Sequence, residues 1–333
     1  MNRLYPLKFK PIFKEKIWGG DKMRKRMNMD FSPLTNCGEA WVLSGVQGYQ
    51  SVVSNGFLEG NQLDELIEVY MQDLVGDYVF EKHGIEFPVL IKFIDSRDWL
   101  SIQVHPDDEL AAKRKIGNGK TEMWYVLDAD QGAELISGFN RKLDKNEYMH
   151  HLRNKSLREI LNFEEVEKGD VFYMPAGRVH ALGPGVFLAE IQQTSDTTYR
   201  IYDWDRMQAD GTFRELHTKE ALEAIDFSMA DKYKTDYQHK ENETSRLVDC
   251  PYFTTNIIRF NKGIKKDYTQ LESFVAYVCT EGDFELHYRD GSIAVAKGEV
   301  VLIPAELKKI SISPLQEAEI LEIYQPRLFD RDK

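Results

Sequence analysis

Gln103 and His105 stand two positions apart in Leu100-Ser101-Ile102-Gln103-Val104-His105-Pro106-Asp107-Asp108. In a strand, alternation throws both side chains to one face and turns Ile102 and Val104 to the other. An amide oxygen and an imidazole so placed, halted by a proline, make half of a metal site. Lys120 and Glu122 are the next same-face pair, and His180 follows the turn Pro175-Ala176-Gly177. Together Gln103, His105, Glu122 and His180 offer one neutral oxygen, two imidazoles and one carboxylate. That set suits Zn²⁺ with a position left open for water or substrate. Two histidines and a carboxylate equally suit Fe²⁺ or Mn²⁺ as a facial triad. One such histidine alone is ordinarily a structural polar group; four such residues on successive strands tip the balance to a metal.

These side chains need strands to carry them. Phe87-Pro88-Val89-Leu90-Ile91-Lys92-Phe93-Ile94 reads as a buried strand, as do Lys120 to Leu127 and Val186 to Gln193. Between them the period changes. Leu63, Leu66, Ile67, Tyr70, Leu74 and Val75 predict a helix over 61–82 that Gly84 stops. Asp107-Asp108-Glu109 caps a short helix through about Lys115. A second inserted helix is expected over 143–163, from Leu143, Tyr148, Leu152, Leu157, Ile160 and Leu161, and a third over 218–226. Residues 231–246 are polar and read as a linker, and strands resume near Phe253.

One echo bears on architecture. Gly298-Glu299-Val300-Val301-Leu302-Ile303-Pro304-Ala305 repeats the pattern of Gly169-Asp170-Val171-Phe172-Tyr173-Met174-Pro175-Ala176. Where the first copy continues to Arg178 and His180, the second has Leu307 and Lys309. The expectation is a mainly β chain of two β-barrel domains: residues 1–240 with the metal and the inserted helices, and residues 247–333 as a degenerate copy without it.

The chain has 333 residues, 42% of them hydrophobic and 12% aromatic, which is enough for a real core and excludes global disorder. Its net charge of −12 argues against nucleic acid or an anionic membrane as the main partner. A local cluster of Lys and Arg can still take a small anion. Cys37, Cys250 and Cys279 are far apart and form no CxxC, so they are expected as buried small hydrophobes, not as a disulfide framework. No run approaches the roughly 18 apolar residues of a membrane span. A cytoplasmic protein, monomeric or weakly homo-oligomeric, is the expectation.

The order of His105, Glu122 and Gly169-Asp170…Pro175-Ala176-Gly177-Arg178-Val179-His180 resembles the cupin superfamily of small, jelly-roll β-barrels. More narrowly, Leu100 to Asp107, Gly119-Lys120-Thr121-Glu122-Met123-Trp124-Tyr125 and Pro175 to Leu182 look like the type I mannose-6-phosphate isomerases. Glu190-Ile191-Gln192-Gln193 and Ser195-Asp196-Thr197-Thr198-Tyr199-Arg200-Ile201-Tyr202-Asp203-Trp204 are similar to the short bacterial form of that family, which lacks the longer enzymes' large helical insertion. Trp18-Gly19-Gly20 and Gly38-Glu39-Ala40-Trp41 match its N-terminal motifs. The resemblance implies one Zn²⁺ per chain, held by His105, Glu122, His180 and Gln103, of which the neutral amide is the weakest donor and replaceable by water. It also implies a sugar-phosphate substrate, an active-site Arg200, and Lys120 and Asp196 lining the pocket. Trp18, Ser101 and Glu190 are expected to contact substrate.

The implied reaction moves a proton between C1 and C2 through a cis-enediol(ate), which requires a cation at the developing oxyanion and a base. Asp196, Lys120, Glu190 and a metal-bound water all qualify as the base; Arg200 does not, because a guanidinium keeps its proton. Two other readings fit the residues. A ferrous cupin dioxygenase would use the same triad, with Gln103 occupying a position that oxygen needs. A non-catalytic sugar-binding cupin would need no open metal position. Blander roles compete at each residue: a surface ion pair for Arg200, a solvated turn for Lys120, a salt bridge for Glu190, plain packing for Trp18. His150 and His151 are expected to be exposed on a helix, and His83, His217, His239 and His287 to be non-ligands.

Overall fold

The computed structural model describes residues 3–208 and 210–326. The strand Glu122–Ala129 shows how the chain is layered. Trp124 and Val126 join one apolar cluster while Met123, Tyr125 and Leu127 join another. A strand apolar on both faces must lie between two packed layers.

Two antiparallel sheets face each other to form the first barrel. One has six strands, in spatial order Val171–Met174, Glu122–Ala129, Val186–Gln193, Val89–Ser96, Glu39–Leu43 and Ile12–Lys14. The other has five: Tyr199–Tyr202, Ile102–Val104, His180–Leu182, Glu134–Phe139 and Leu161–Glu165. Ile102, Val104, Val179 and Ala181 cover the outside of the five-stranded sheet, where they pack with Tyr148 of the helix Lys145–Arg153 and Ala221 of the helix Thr218–Ala224.

The second barrel pairs a seven-stranded sheet with a four-stranded one. The larger runs Thr244–Asp249, Thr254–Phe260, Ala318–Tyr324, Val275–Glu281, Val300–Ile303, Leu7–Lys10 and Val52–Val53. The smaller runs Ile264–Asp267, Lys309–Pro314, Phe284–Tyr288 and Gly291–Val295. The expected mainly β, two-barrel cupin architecture is therefore present, with few helices. A cut at residue 240 does not follow the hydrogen bonds, since Leu7 and Lys8 pair with Leu302 and Val301. The two large sheets pack back to back. Met123, Tyr125, Phe93, Phe187 and Ile191 share one cluster with Phe253, Ile257, Val278, Leu321 and Ile323.

Several local expectations change. The helix over 61–82 is three short helices, Leu63–Tyr70, Gln72–Val75 and Asp77–His83, broken where Met71 and Gly76 adopt positive φ of 48° and 94°. The helix over 143–163 ends at Arg153, and its apolar tail continues as a 3₁₀ turn and then as the strand Leu161–Glu165, because a strand's inward side chains answer an apolar stripe equally well. His151 is 9% exposed, not solvated, and its Nδ1 lies 2.8 Å from Ser156 Oγ. The expected linker is strapped down: Tyr233 donates to Phe139 O, Lys234 reaches Asp170 at 2.7 Å, and Tyr237 donates to Gly169 O. All three cysteines are buried, as expected. Among the described residues, no helix is long and apolar enough to cross a membrane.

Candidate metal centre

Strand alternation delivers the centre. Gln103 faces into the first barrel while Ile102 and Val104 face out, and Gln103 lies directly opposite His180 in the sheet. From the facing sheet, Glu122 opens its strand opposite Gln192. His105, just past the strand Ile102–Val104, is 2% exposed, Glu122 0% and His180 2%, and their donor atoms all lie within 4.8 Å of one another.

The protons on both imidazoles can be placed. His105 Nδ1 is 2.9 Å from Thr197 O and His180 Nδ1 is 2.9 Å from Arg178 O. A carbonyl only accepts, so each Nδ1 donates and each Nε2 turns a lone pair inward. His105 Nε2 then stands 3.5 Å from Glu122 Oε2, and His180 Nε2 3.3 Å from Glu122 Oε1. Burial, with Lys120 adding to it, drives His105 well below the ordinary histidine range; burial pushes His180 down to about 4. Both rings are neutral at pH 7, the state a metal requires. Burial and the nearby Glu190 push the Glu122 carboxyl up, against the pull of Lys120. His105 Nε2 and Glu122 Oε1 are buried without a hydrogen-bond partner, and Lys120 reaches Glu122 Oε2. Lone pairs facing a carboxylate repel, and a buried polar atom left unpaired is costly. A divalent cation relieves both, so His105, Glu122 and His180 fit a metal. Gln103 turns its Nε2 to His180 Nε2 at 3.3 Å, while its Oε1 accepts from Ser101 Oγ at 3.4 Å. Rotating that amide by half a turn would present its oxygen to the triad.

A cavity of about 250 Å³ opens over the centre, and the predicted residues Trp18, Ser101, Gln103, Lys120, His180, Glu190, Asp196 and Arg200 all line it. Trp18 is both wall and packing, for it also joins the apolar cluster beneath. Lys120 Nζ is 3.1 Å from Glu122 Oε2 and 4.0 Å from Glu190 Oε1. Burial lowers its pKa, but the two carboxylates more than reverse that and raise it. Glu190 is pocket-facing and ion-paired at once: Lys92 Nζ donates to Oε1 at 3.1 Å and Trp124 Nε1 to Oε2 at 3.0 Å. Burial alone would raise Glu190, and Lys92 with Lys120 outweighs it, holding the carboxyl below its ordinary value. Arg200 gives Nη1 to Glu215 O at 2.7 Å, leaves its Nε unpaired, and takes a backbone hydrogen bond to His217 Nδ1. Asp196 sits exposed at the mouth.

Four charged wall residues were not anticipated as such: Lys92, Glu39, Lys16 and Arg214. Lys92 carried a signal. A lysine in the middle of an apolar strand, 4% exposed in the fold, must face a partner. Glu39 accepts from Trp41 Nε1 at 2.8 Å and meets Lys16 at 3.0 Å. Arg214 and Arg206 share Asp203 at the loop that follows Arg200. Nothing in the spacing of these arginines marked them.

Comparison with known proteins agrees with this geometry. Residues 6–137 match the family model for the catalytic domain of type I phosphomannose isomerase, and residues 242–324 match the mannose-6-phosphate isomerase cupin domain. A mannose-6-phosphate isomerase of Bacillus subtilis is 36% identical over 94% of this chain and 97% of its own. One from Streptococcus mutans is 34% identical over 91% of this chain and 93% of its own. The crystal structure of the mannose 6-phosphate isomerase from B. subtilis superposes with a TM-score of 0.86 at 33% identity, covering 96% of this chain and 99% of that one. The fold extends to a protein from Archaeoglobus fulgidus at 19% identity and TM-score 0.78. With two barrels, one buried His-Glu-His centre and near full-length identity of this order, the chain belongs to the type I phosphomannose isomerase family of the cupin superfamily.

Proposed function

We propose that the protein interconverts mannose 6-phosphate and fructose 6-phosphate, using one Zn²⁺ held by His105, Glu122 and His180 and completed by Gln103 or water. The observation that carries this reading is the buried convergence of His105, Glu122 and His180, with His105 Nε2 and Glu122 Oε1 unpaired, beneath a cavity lined by Lys16, Lys92, Lys120, Arg200 and Arg214. Two imidazoles and a carboxylate suit zinc, and five cations suit a phosphate ester. When bound, the ion supplies a Lewis acid that stabilises the oxyanion of a cis-enediol(ate) and introduces no redox chemistry.

The protein's own groups divide the remaining work. Arg200, permanently charged, binds phosphate or polarises a substrate oxygen. Glu190, engaged on both oxygens, fixes Lys92 and Lys120 and moves no proton. Lys120 Nζ, held protonated between two carboxylates, is the acid beside the reacting oxygens. Asp196 makes no hydrogen bond among the described residues and is the carboxylate left to take the carbon-bound proton. Trp18 and Ser101 shape the wall against the sugar. The catalytic unit is residues 1–240 without the strands Leu7–Lys10 and Val52–Val53, which serve the unit 247–333. Metal analysis beside a coupled isomerase assay tests the proposal. Zinc-replete protein that turns over neither hexose phosphate overturns it.

A further inference from the structure

The two barrels can be matched residue by residue through their large sheets. Val171–Met174, Glu122–Ala129, Val186–Gln193 and Val89–Ser96 lie in the same spatial order as Val300–Ile303, Val275–Glu281, Ala318–Tyr324 and Thr254–Phe260. Glu190 is flanked across its strand by Lys92 and Trp124; Glu322 is flanked by Asn256 and Tyr277. Met174 stands opposite Glu122, and Ile303 stands opposite Val275. The second barrel therefore replaces the metal-binding carboxylate with valine, yet keeps the neighbouring inward carboxylate with a hydrogen-bonding side chain on each side.

That carboxylate is 2% exposed and fully engaged. Asn256 Nδ2 donates to Glu322 Oε2 at 2.8 Å, Lys266 Nζ reaches Oε1 at 2.7 Å, and Tyr268 donates to Oε1 at 2.5 Å. Tyr268 has spent its proton on Glu322, so Tyr277 must donate to Tyr268. Burial drives both phenols well above the ordinary tyrosine range, and they stay neutral. A buried ion pair is weak support for a fold, since well-packed apolar side chains do as well. The rest of this barrel interior is such a core, built from Phe260, Val275, Phe284, Ile303 and Ile312. A polar cluster confined to one mouth of an apolar barrel calls for a ligand.

Over the cluster lies a cavity of about 450 Å³, within the roughly 300–1,000 Å³ of small-molecule sites. Arg246 and Gln270 bring further donors, while Leu271 and the ring of Tyr324 give apolar wall. Lys266 and Arg246 offset Glu322 and Asp267, so the lining carries no net charge to recruit an anion. Asp267 and the amide oxygens of Asn256 and Gln270 to accept from hydroxyls, Lys266 and Arg246 to donate to them, and the Tyr324 ring for C–H groups are the chemistry of a sugar. We propose that this mouth of the second barrel binds a neutral, polyhydroxylated small molecule of monosaccharide size, separately from the isomerisation site.

No tyrosine lines the first cavity, whereas Tyr268 and Tyr324 line this one, so their resonances report on this mouth. Holoenzyme labelled with fluorotyrosine is titrated with D-mannose, D-glucose and mannitol, and separately with inorganic phosphate, and followed by fluorine NMR. Resonances are assigned with the Tyr268→Phe and Tyr324→Phe variants. The expected result is a saturable shift of those resonances with at least one neutral compound, weakened about tenfold or more by Glu322→Gln at unchanged isomerase turnover. No saturable shift with any of the three, a shift with phosphate alone, or a shift untouched by Glu322→Gln overturns the proposal. If Glu322→Gln does not fold, Arg246→Ala at the exposed rim carries the same test, with weakened binding expected and unchanged binding fatal.

Discussion

Thr197 O and Arg178 O decide what the two imidazoles can do, because each fixes a proton at Nδ1 and leaves Nε2 aimed at Glu122. Thr197 follows Asp196 and precedes Arg200, so the segment that lines the cavity also orients His105. Partners that only orient a ligand are worth roughly 10–100-fold in affinity or activity. His105→Ala or His180→Ala should therefore lose bound metal and at least about 100-fold in turnover together, which metal analysis and the coupled assay read in parallel. Arg200→Ala should keep its zinc and lose most turnover; unchanged turnover would remove Arg200 from the mechanism. Glu39 governs an acid limb. Burial pushes its carboxyl up, but Lys92, Lys16 and Trp41 overcome that and hold it near 2 against an ordinary 4.5. A folded pKa below the unfolded one stabilises above pH 4.5 and is lost as pH falls toward 2, a contribution of about 3 kcal/mol. Denaturant titrations of wild type and Glu39→Gln should differ by about that amount at pH 7 and converge near pH 2. A gap that persists at low pH would assign the difference to packing.

At the level of elements, the first turn of each helix and the break between helices are where substitutions should tell. Asp107 accepts from Leu110 N at 2.8 Å and caps the helix Asp108–Arg114 immediately after His105-Pro106. Asp107→Ala should cost about 1 kcal/mol in thermal or denaturant unfolding. Gly76 holds φ 94° and ψ 152°, a region all but closed to other residues, and a Cβ there would stand 2.4 Å from Glu272 O of the second barrel. Gly76→Ala should cost at least about 1–3 kcal/mol, and a neutral result would show that the seam gives way. These breaks explain what the sequence concealed. Helical spacing marked 61–82 correctly as apolar on one side but was silent on Met71, which breaks the helix at a positive φ with its side chain exposed. The grouping of His105, Glu122 and His180 was legible in part because strand alternation, a period of two, pairs Gln103 with His105 and Lys120 with Glu122, while His180 stood out after its Pro-Ala-Gly turn. The echo at Gly298 was legible as a repeat, yet Lys309 does not occupy the face of His180. Ile310 and Ile312 face the second barrel interior and Lys309 is exposed, a one-residue offset that alternation converts into the opposite face. Short strands such as Leu7–Lys10 and, at the sheet edge, Val52–Val53 had no partner in view along the sequence and went unread.

For the whole molecule, the common core between the large sheets sets the unit of stability. Removing residues 241–333 would bare Tyr125, Phe187 and Ile191, which Phe253, Ile257 and Leu321 now cover. Calorimetry of the full chain should show one cooperative transition; two resolved transitions would mean that the shared core is not coupling the barrels. A chelator should lower the midpoint of that transition and zinc restore it, since a ligand that binds only the folded state stabilises it by mass action. One consequence reaches back to synthesis. The strand Leu7–Lys10 can pair early with Val52–Val53, but its other edge must wait for Val301 and Leu302, which are made far later. Such distant pairing slows folding and lengthens the time that apolar strands stay uncovered. The pair of strands Leu7–Lys10 and Val52–Val53 waits with one edge open for a neighbour still being translated.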